Sequence, residues 1–148
     1  MRKRTPRKVR PAVSPCLIAV GLNNKHEAGM IAAVQAFRRG YATVDNFLDL
    51  CDSRDITVIA YQMQKRHVDG MEAAMNATHI ALMNIRDRRE ETGKFGATAD
   101  ELAALALLAD TYMNYWLAQS GDLYRKARTE LYRLRKYDRA RQVGEVAA

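Results

Sequence analysis

Residues 98–116 read TADELAALALLADTYMNYW. The stretch opens on Thr98 and places Glu101 three positions later, which is the capping-box pattern of a helix start. The apolar residues that follow recur at helical spacing, and they are Leu102, Leu105, Ala109, Tyr112 and Trp116. This stretch therefore predicts an amphipathic helix whose apolar face packs on a core.

Three further helices are predicted on the N-terminal side of this one, two of which directly precede it. The nearer helix lies between Gly70 and Gly93, and the spacings in its apolar stripe are 4, 3, 4 and 3, through Met71, Met75, Thr78, Leu82 and Ile85. The other begins at Thr43. The polar patch 52–55 allows either a break or a continuous helix, and we expect the helix to continue, straight or kinked, to about His67.

The first helix is predicted from a similar start signal. Asn24 is followed three positions later by Glu27, and Gly40 is placed to end the helix. The apolar run 16–22 precedes this start, and the sequence is compatible with either a short helix or an extended segment there. We expect this run to be the first part of the chain that contacts the core.

The last predicted helical region carries the stripe Tyr124, Ala127, Leu131 and Leu134. Gly121 lies between it and the 98–116 helix, so the sequence allows either two helices or one long helix weakened at that glycine. The predicted fold class is all-α, an antiparallel bundle of four to five helices with a flexible basic N-terminal arm. The predicted core includes Phe37, Phe47, Leu48, Ile59, Leu82, Leu105, Tyr112 and Trp116.

The composition supports one helical domain. The chain has 148 residues with 48% hydrophobic and 28% charged residues, and only 3 Pro and 8 Gly to break helices. All three prolines lie within residues 1–15, where large apolar side chains are scarce, and this predicts a flexible arm. We therefore assign 1–15 to the arm, 16–143 to a single helical domain and 144–148 to a disordered tail.

Positive charge is concentrated at the two ends of the chain. The net charge is +7, of which residues 1–10 contribute six basic side chains and no acidic one. Residues 122–148 carry eight basic and four acidic side chains, while the segment between, 11–121, carries ten basic and thirteen acidic ones. Clustered cations of this kind are what attraction to a polyanion requires.

Two basic segments are therefore candidates for contact with nucleic acid. The arm can neutralise phosphates, and the last helix places guanidinium groups and an aromatic ring, which can stack on bases, on the side away from its apolar stripe. The candidate residues are Arg2, Lys3, Arg4, Arg7, Lys8, Arg10, Arg125, Arg128, Tyr132, Arg135 and Arg139. The alternative for the arm is a solvated tail or a contact with an acidic protein. The alternative for the helix is an ordinary charged outer face.

The sequence offers no catalytic, metal or cofactor residues. It contains no glycine-rich phosphate loop, nucleophile elbow or Cys/His dyad, and the three histidines are scattered. Asp45, Asp49 and Asp52 form an acidic ridge, which is more typical of a solvated surface or of a salt-bridge partner for a basic segment than of a metal site. We therefore expect a protein without enzymatic activity.

The cysteine count and the apolar runs predict a cytoplasmic location. Only Cys16 and Cys51 are present, without metal-ligand spacing, which fits a reducing compartment. The apolar run 16–22 has about seven residues and no small-residue cleavage pattern after it, so we do not expect a secretion signal. No run approaches the roughly 18 apolar residues of a membrane span.

Three stretches carry a resemblance to a known group of proteins. They are the opening MRKRTPRKVRP, the segment GYATVDNFLDLCD at 40–52 and the segment GKFGATADELAAL at 93–105. Together they resemble short helical proteins encoded by phages and prophages of proteobacteria, whose functions are mostly unassigned. The resemblance implies a cytoplasmic location in a bacterial host and a role in phage regulation, nucleic acid handling or interference with a host protein. It identifies no catalytic residue.

Two functions remain as hypotheses. The first is a small accessory or regulatory protein that binds nucleic acid, DNA or RNA, through its basic ends. The second is an inhibitor or adaptor that binds a host protein complex, for example a host defence system, through an apolar or acidic face. A helical bundle is compatible with both, and the sequence leaves the oligomeric state open.

Overall fold

The computed structural model describes the backbone of residues 15–147 and the side chains of residues 27–138. Five helices and no strand occur in this part of the chain, as the all-α prediction requires. The helices are α1 Pro15–Arg39, α2 Val44–Gln64, α3 Met71–Thr92, α4 Ala99–Leu117 and α5 Gly121–Ala147. Among the described residues, none of these helices is both long and apolar enough to cross a membrane.

The helices form one antiparallel bundle with short connections. Helix α1 packs against α2, α4 and α5, while α3 packs mainly against α4 and α5 mainly against α2. One continuous apolar cluster lies between them, with buried side chains from all five helices. The bundle begins at Pro15 and ends at Ala147, one residue before and four residues after the limits predicted for the helical domain.

The predicted helix starts at Thr43 and Thr98 are confirmed by their hydrogen bonds. The amide N–H of Glu101 donates to Thr98 Oγ1 at 3.2 Å, and the N–H of Thr98 donates to Glu101 Oε2 at 2.8 Å. At the start of α2, Asn46 takes the place of glutamate, and its Oδ1 accepts from the N–H of Thr43 at 2.9 Å. Each reciprocal pair satisfies two amide groups that have no partner within the helix.

Glycine ends two helices where the sequence predicted it. Gly40 has φ +80°, and the N–H groups of Gly40 and Tyr41 return to the carbonyls of Phe37 and Ala36. Gly93 has φ +74° at the end of α3. A side chain would strain the backbone at either position, so glycine is favoured at both ends.

Other predicted boundaries differ from the structure. Helix α1 passes through Asn24 without a break, so the predicted start at Asn24 is wrong and the 16–22 run is helical. Helix α2 does continue through the polar patch 52–55, but it ends at Gln64, where Lys65 turns into the left-handed region with φ 51°. At Gly121 the chain forms two helices, because α4 ends at Leu117 and α5 begins at the glycine.

Trp116 lies at the centre of the core, as predicted. Its indole is 1% exposed and is surrounded by the rings of Tyr112, Tyr115 and Tyr124, at centroid distances of 6.2, 5.2 and 5.1 Å. Its Nε1 donates to the buried Oγ1 of Thr57 at 3.1 Å, which joins α4 to α2. Phe37, Ile59, Leu82 and Leu105 are also buried.

The prediction that Leu48 belongs to the core is wrong. Its side chain is 43% exposed, whereas Leu50 is fully buried and Phe47 is half-buried against Phe95, with ring centroids 5.4 Å apart. The buried stripe of α2 includes Ser53 within the polar patch and Thr57 just after it, and both donate their hydroxyls to carbonyls four residues back. Because both hydroxyls form hydrogen bonds within α2, the two side chains can occupy core positions that the apolar pattern assigned to other residues.

Candidate nucleic-acid interface on helix α5

Helix α5 is held to the bundle by one face and exposes the other. Tyr124, Ala127 and Leu131 are buried at spacings of three and four, while Leu134 is 38% exposed. Beside this stripe and around to the opposite side lies an exposed set of residues that we call the α5 outer face. It comprises Arg125, Arg128, Thr129, Tyr132, Arg133 and Lys136.

The central feature of the α5 outer face is a guanidinium group stacked on an aromatic ring. The Cζ atom of Arg128 lies 5.4 Å from the centroid of the Tyr132 ring, and its Nε donates to the Tyr132 hydroxyl at 3.3 Å. The Tyr132 side chain is nevertheless 57% exposed. The pair thus offers to solvent an aromatic surface beside a positive charge, the combination on which nucleobases stack.

Carboxylates of the same helix partly neutralise the face. Asp122 contacts Lys126 at 2.9 Å and Arg125 at 3.8 Å, and Glu130 contacts Arg133 with N–O distances of 2.5 and 2.9 Å. Hydrogen bonds from Lys126 and Arg133 hold the pKa values of Asp122 and Glu130 below their ordinary range. Exposed pairs of this kind contribute little to stability, so phosphates can replace the carboxylates at small cost.

Arg135 is partly exposed and forms ion pairs with another helix. Its Nη2 contacts Oδ1 of Asp52 and lies 3.5 Å from Oδ2 of Asp55, so it joins α5 to α2. Burial raises the pKa of Asp52 from its ordinary value of 3.8, and the charge of Arg135 opposes that shift. The acidic ridge therefore supplies a salt-bridge partner for a basic segment, one of the two interpretations that the sequence favoured.

The structure brings together three of the residues selected from the sequence: Arg125, Arg128 and Tyr132. Arg135 lies at the α2 edge, and the side chain of Arg139 lies outside the described residues, as do Arg2, Lys3, Arg4, Arg7, Lys8 and Arg10. Sequence reasoning based on seven-residue intervals missed Arg133 and Lys136. The four-residue step from Tyr132 to Lys136 is the signal that would have found the lysine.

No metal site accompanies this face in the part of the chain that the structure describes. No group of three or more His, Cys, Asp or Glu side chains there is arranged to hold a metal ion. The resemblance to phage and prophage proteins stays a prediction. Comparison of the chain with protein-family models, with curated proteins and with solved structures finds no match.

Proposed function

We propose that the protein binds nucleic acid through the α5 outer face, together with the basic residues of segment 1–10. The observation that carries the proposal is the stack of Arg128 on the exposed ring of Tyr132. A charged outer face alone is common on bundle helices, but an exposed tyrosine in contact with a guanidinium group adds a surface that suits bases. DNA and RNA both have the required chemistry.

In this proposal the two kinds of side chain on the face do different work. Arg125, Arg133 and Lys136 attract phosphates, and this attraction weakens as salt rises because bound phosphates release counterions. The ring of Tyr132 stacks on a base, which requires a base that is not already stacked on both sides. We therefore expect single strands to bind more tightly than duplexes of the same length.

The experiment compares labelled single-stranded DNA, single-stranded RNA and duplex DNA across a salt series, using the full chain. Tyr132→Ala is expected to weaken single-strand binding by about 1–3 kcal/mol, the usual contribution of one stacked base. Tyr132→Phe keeps the ring and is expected to retain most of the affinity.

Tyr137 provides the matched control, since it is 63% exposed on the same helix and lies at a different angle from the stack. Tyr137→Ala should leave affinity unchanged. Equal losses of affinity in Tyr132→Ala and Tyr137→Ala would mean that any exposed tyrosine of α5 contributes, and that the contact with Arg128 does not matter. Absence of binding at low salt would refute the proposal.

A cellular role follows from the same proposal. A small nucleic-acid-binding protein in the cytoplasm of a bacterial host suits phage accessory or regulatory work, which is the context that the sequence resemblance implies. Crosslinking in such a host, followed by sequencing of the bound nucleic acid, would test this role. Recovery of protein partners without nucleic acid would favour the host-protein hypothesis instead.

A further inference from the structure

A groove that no residue of α5 lines is separate from the α5 outer face. It has a volume of about 690 Å³ and lies between α3, α4 and the connection from α2 to α3. Its middle is apolar, lined by Ala73 and Ala77 of α3 and by Leu107 of α4, which is 44% exposed. Grooves of about 300–1,000 Å³ with a few fixed polar groups are typical of small-molecule sites.

One end of the groove carries a directed chain of hydrogen bonds. The hydroxyl of Tyr115 donates to Oε1 of Gln64 at 2.7 Å, and Nε2 of Gln64 donates to Oε1 of Gln119 at 2.5 Å. Burial raises the pKa of Tyr115 to about 12, so the hydroxyl is a donor at neutral pH. In both hydrogen bonds a glutamine side-chain oxygen is the acceptor. The series of hydrogen bonds therefore ends at Gln119, whose Nε2 is a donor.

Arg66 adds a positive charge at the same end. It lines the groove, lies close enough to Tyr115 to affect its titration, and has no carboxylate partner within the described residues. Asp69 is the other charged lining residue, and its carboxylate is already 2.9 Å from Nε2 of His67. The end of the groove thus presents donors and an unpaired cation, which complement a group that only accepts hydrogen bonds.

We propose that this groove binds small organic acids with an apolar body, the carboxylate at Arg66 and Gln119 and the hydrocarbon over Ala73, Ala77 and Leu107. The two alanines leave room for the hydrocarbon, because a longer side chain at either position would fill the middle of the groove. A carboxylate matches the donors by charge and by hydrogen-bond type. Asp69 is the lining group that would favour an ammonium instead, so a cation of the same chain length tests whether Arg66 or Asp69 decides the charge of the ligand.

The experiment uses sodium octanoate as the probe, with 1-octanol and octylammonium as matched compounds of the same chain length. Binding to the full-length protein is followed by NMR shifts of the Ala73, Ala77 and Leu107 methyl groups and by calorimetry. Octanoate should bind at least about tenfold more tightly than octanol, as expected for a hydrogen-bonded charge. Octylammonium should bind more weakly than octanoate, because Arg66 repels it; equal or tighter binding would show that Asp69 decides the charge of the ligand.

Two variants, each with a control, distinguish recognition of the carboxylate from binding of the hydrocarbon. Arg66→Ala should remove the preference for octanoate over octanol, while Arg39→Ala, at an exposed arginine of α1, should leave it unchanged. Ala77→Phe should abolish binding of both compounds, while Ala32→Phe, at an exposed alanine of α1, should not. Circular dichroism verifies that each variant is folded. The wild-type methyl shifts test the site even if Ala77→Phe does not fold.

Several results would overturn the proposal. Equal affinities for octanoate and octanol, unchanged in Arg66→Ala, would show that the end of the groove does not recognise a carboxylate. NMR shifts that are confined to residues outside the groove would show that octanoate binds elsewhere. A concentration-dependent dimer that Ala77→Phe disrupts, without octanoate binding, would identify a second copy of the chain as the occupant.

Discussion

Trp116 joins three helices through one side chain. Its indole N–H has a buried acceptor in Thr57 of α2, and its ring contacts Tyr124 of α5 at a centroid distance of 5.1 Å. Burial of an aromatic ring supplies much of the energy of a small core, and the polar N–H must find a partner there. The residue thus fixes the relative positions of α2, α4 and α5.

Replacing Trp116 by alanine should therefore be strongly destabilising. We expect a loss of about 3–5 kcal/mol in the free energy of unfolding, from lost apolar burial and the cavity left behind. Urea denaturation followed by circular dichroism measures it. The native protein, whose only tryptophan is Trp116, should also emit at short wavelength, and an emission maximum typical of solvent-exposed indole would contradict the buried position.

At the scale of single elements, the start of α4 combines local and tertiary contacts. Thr98→Ala removes the side-chain acceptor for the N–H of Glu101 and should lower stability by about 1 kcal/mol. The core is untouched, so the slope of the denaturation curve should stay the same and only its midpoint should fall. An unchanged midpoint would mean that another group caps the helix.

The capping pattern in the sequence correctly predicted two helix starts, at Thr43 and Thr98. It wrongly predicted a third at Asn24. The Thr98 and Thr43 signals each follow a loop and lead into a helix. Asn24 and Glu27 carry the same pattern, but the residues before them are already helical in α1, so no start is needed there. The capping pattern identifies a start only where the preceding chain is not helical.

The candidate site was predictable to a similar degree. Arg125 and Tyr132 were found because a seven-residue interval keeps two residues on the same face of a helix. The role of Arg135 could not be found in this way, since its partner Asp52 is far away in sequence and meets it only when α5 packs on α2. The groove beside α3 could not be predicted from the sequence, because the side chains of Ala73 and Ala77 have no polar or charged group that would mark a site.

At the scale of the whole molecule, an ion pair between the buried carboxylate of Glu101 and the partly exposed Arg88 links stability to pH. Glu101 is 7% exposed and accepts from Nη1 and Nη2 of Arg88 at 2.9 and 2.8 Å, while Arg88 also donates to the carbonyl of Gly96 at 2.7 Å. The pair fastens the end of α3 to the start of α4. Hydrogen bonds from Arg88 hold the pKa of Glu101 below its ordinary value of 4.5.

The sign of the resulting pH dependence follows from that shift. Because the pKa of Glu101 is lower in the folded state, its contribution is complete above about pH 4.5 and is lost as pH falls through the folded pKa. Glu101→Gln should cost about 1–3 kcal/mol at pH 7 and should flatten the loss of stability as the pH falls below about 4.5. Denaturation at a series of pH values measures both effects. A parallel loss at every pH would assign the effect to packing instead of ionisation.

Asp52 should act in the opposite direction over the same range. Burial raises its pKa, so the stability linked to its protonated form is present at low pH and is lost as pH rises through the folded pKa. Its contact with Arg135 reduces this cost. A net fall in stability on acidification therefore requires the Glu101 effect to exceed the Asp52 effect, and Glu101→Gln isolates the former.

The charge distribution of the whole chain leads to the last prediction, which concerns MRKRTPRKVR at residues 1–10. This segment holds six of the 24 basic residues but almost no apolar side chains, so its removal should leave the melting temperature nearly unchanged. If it contacts about four phosphates, deletion should reduce the slope of log affinity against log salt by roughly 3–4 on duplex DNA. A full-length variant with the six basic residues changed to glutamine should behave like the deletion, since charge and not length is responsible. Equal binding by all three proteins would confine the interface to α5, whereas lost affinity with an unchanged slope would indicate a contact that does not depend on charge.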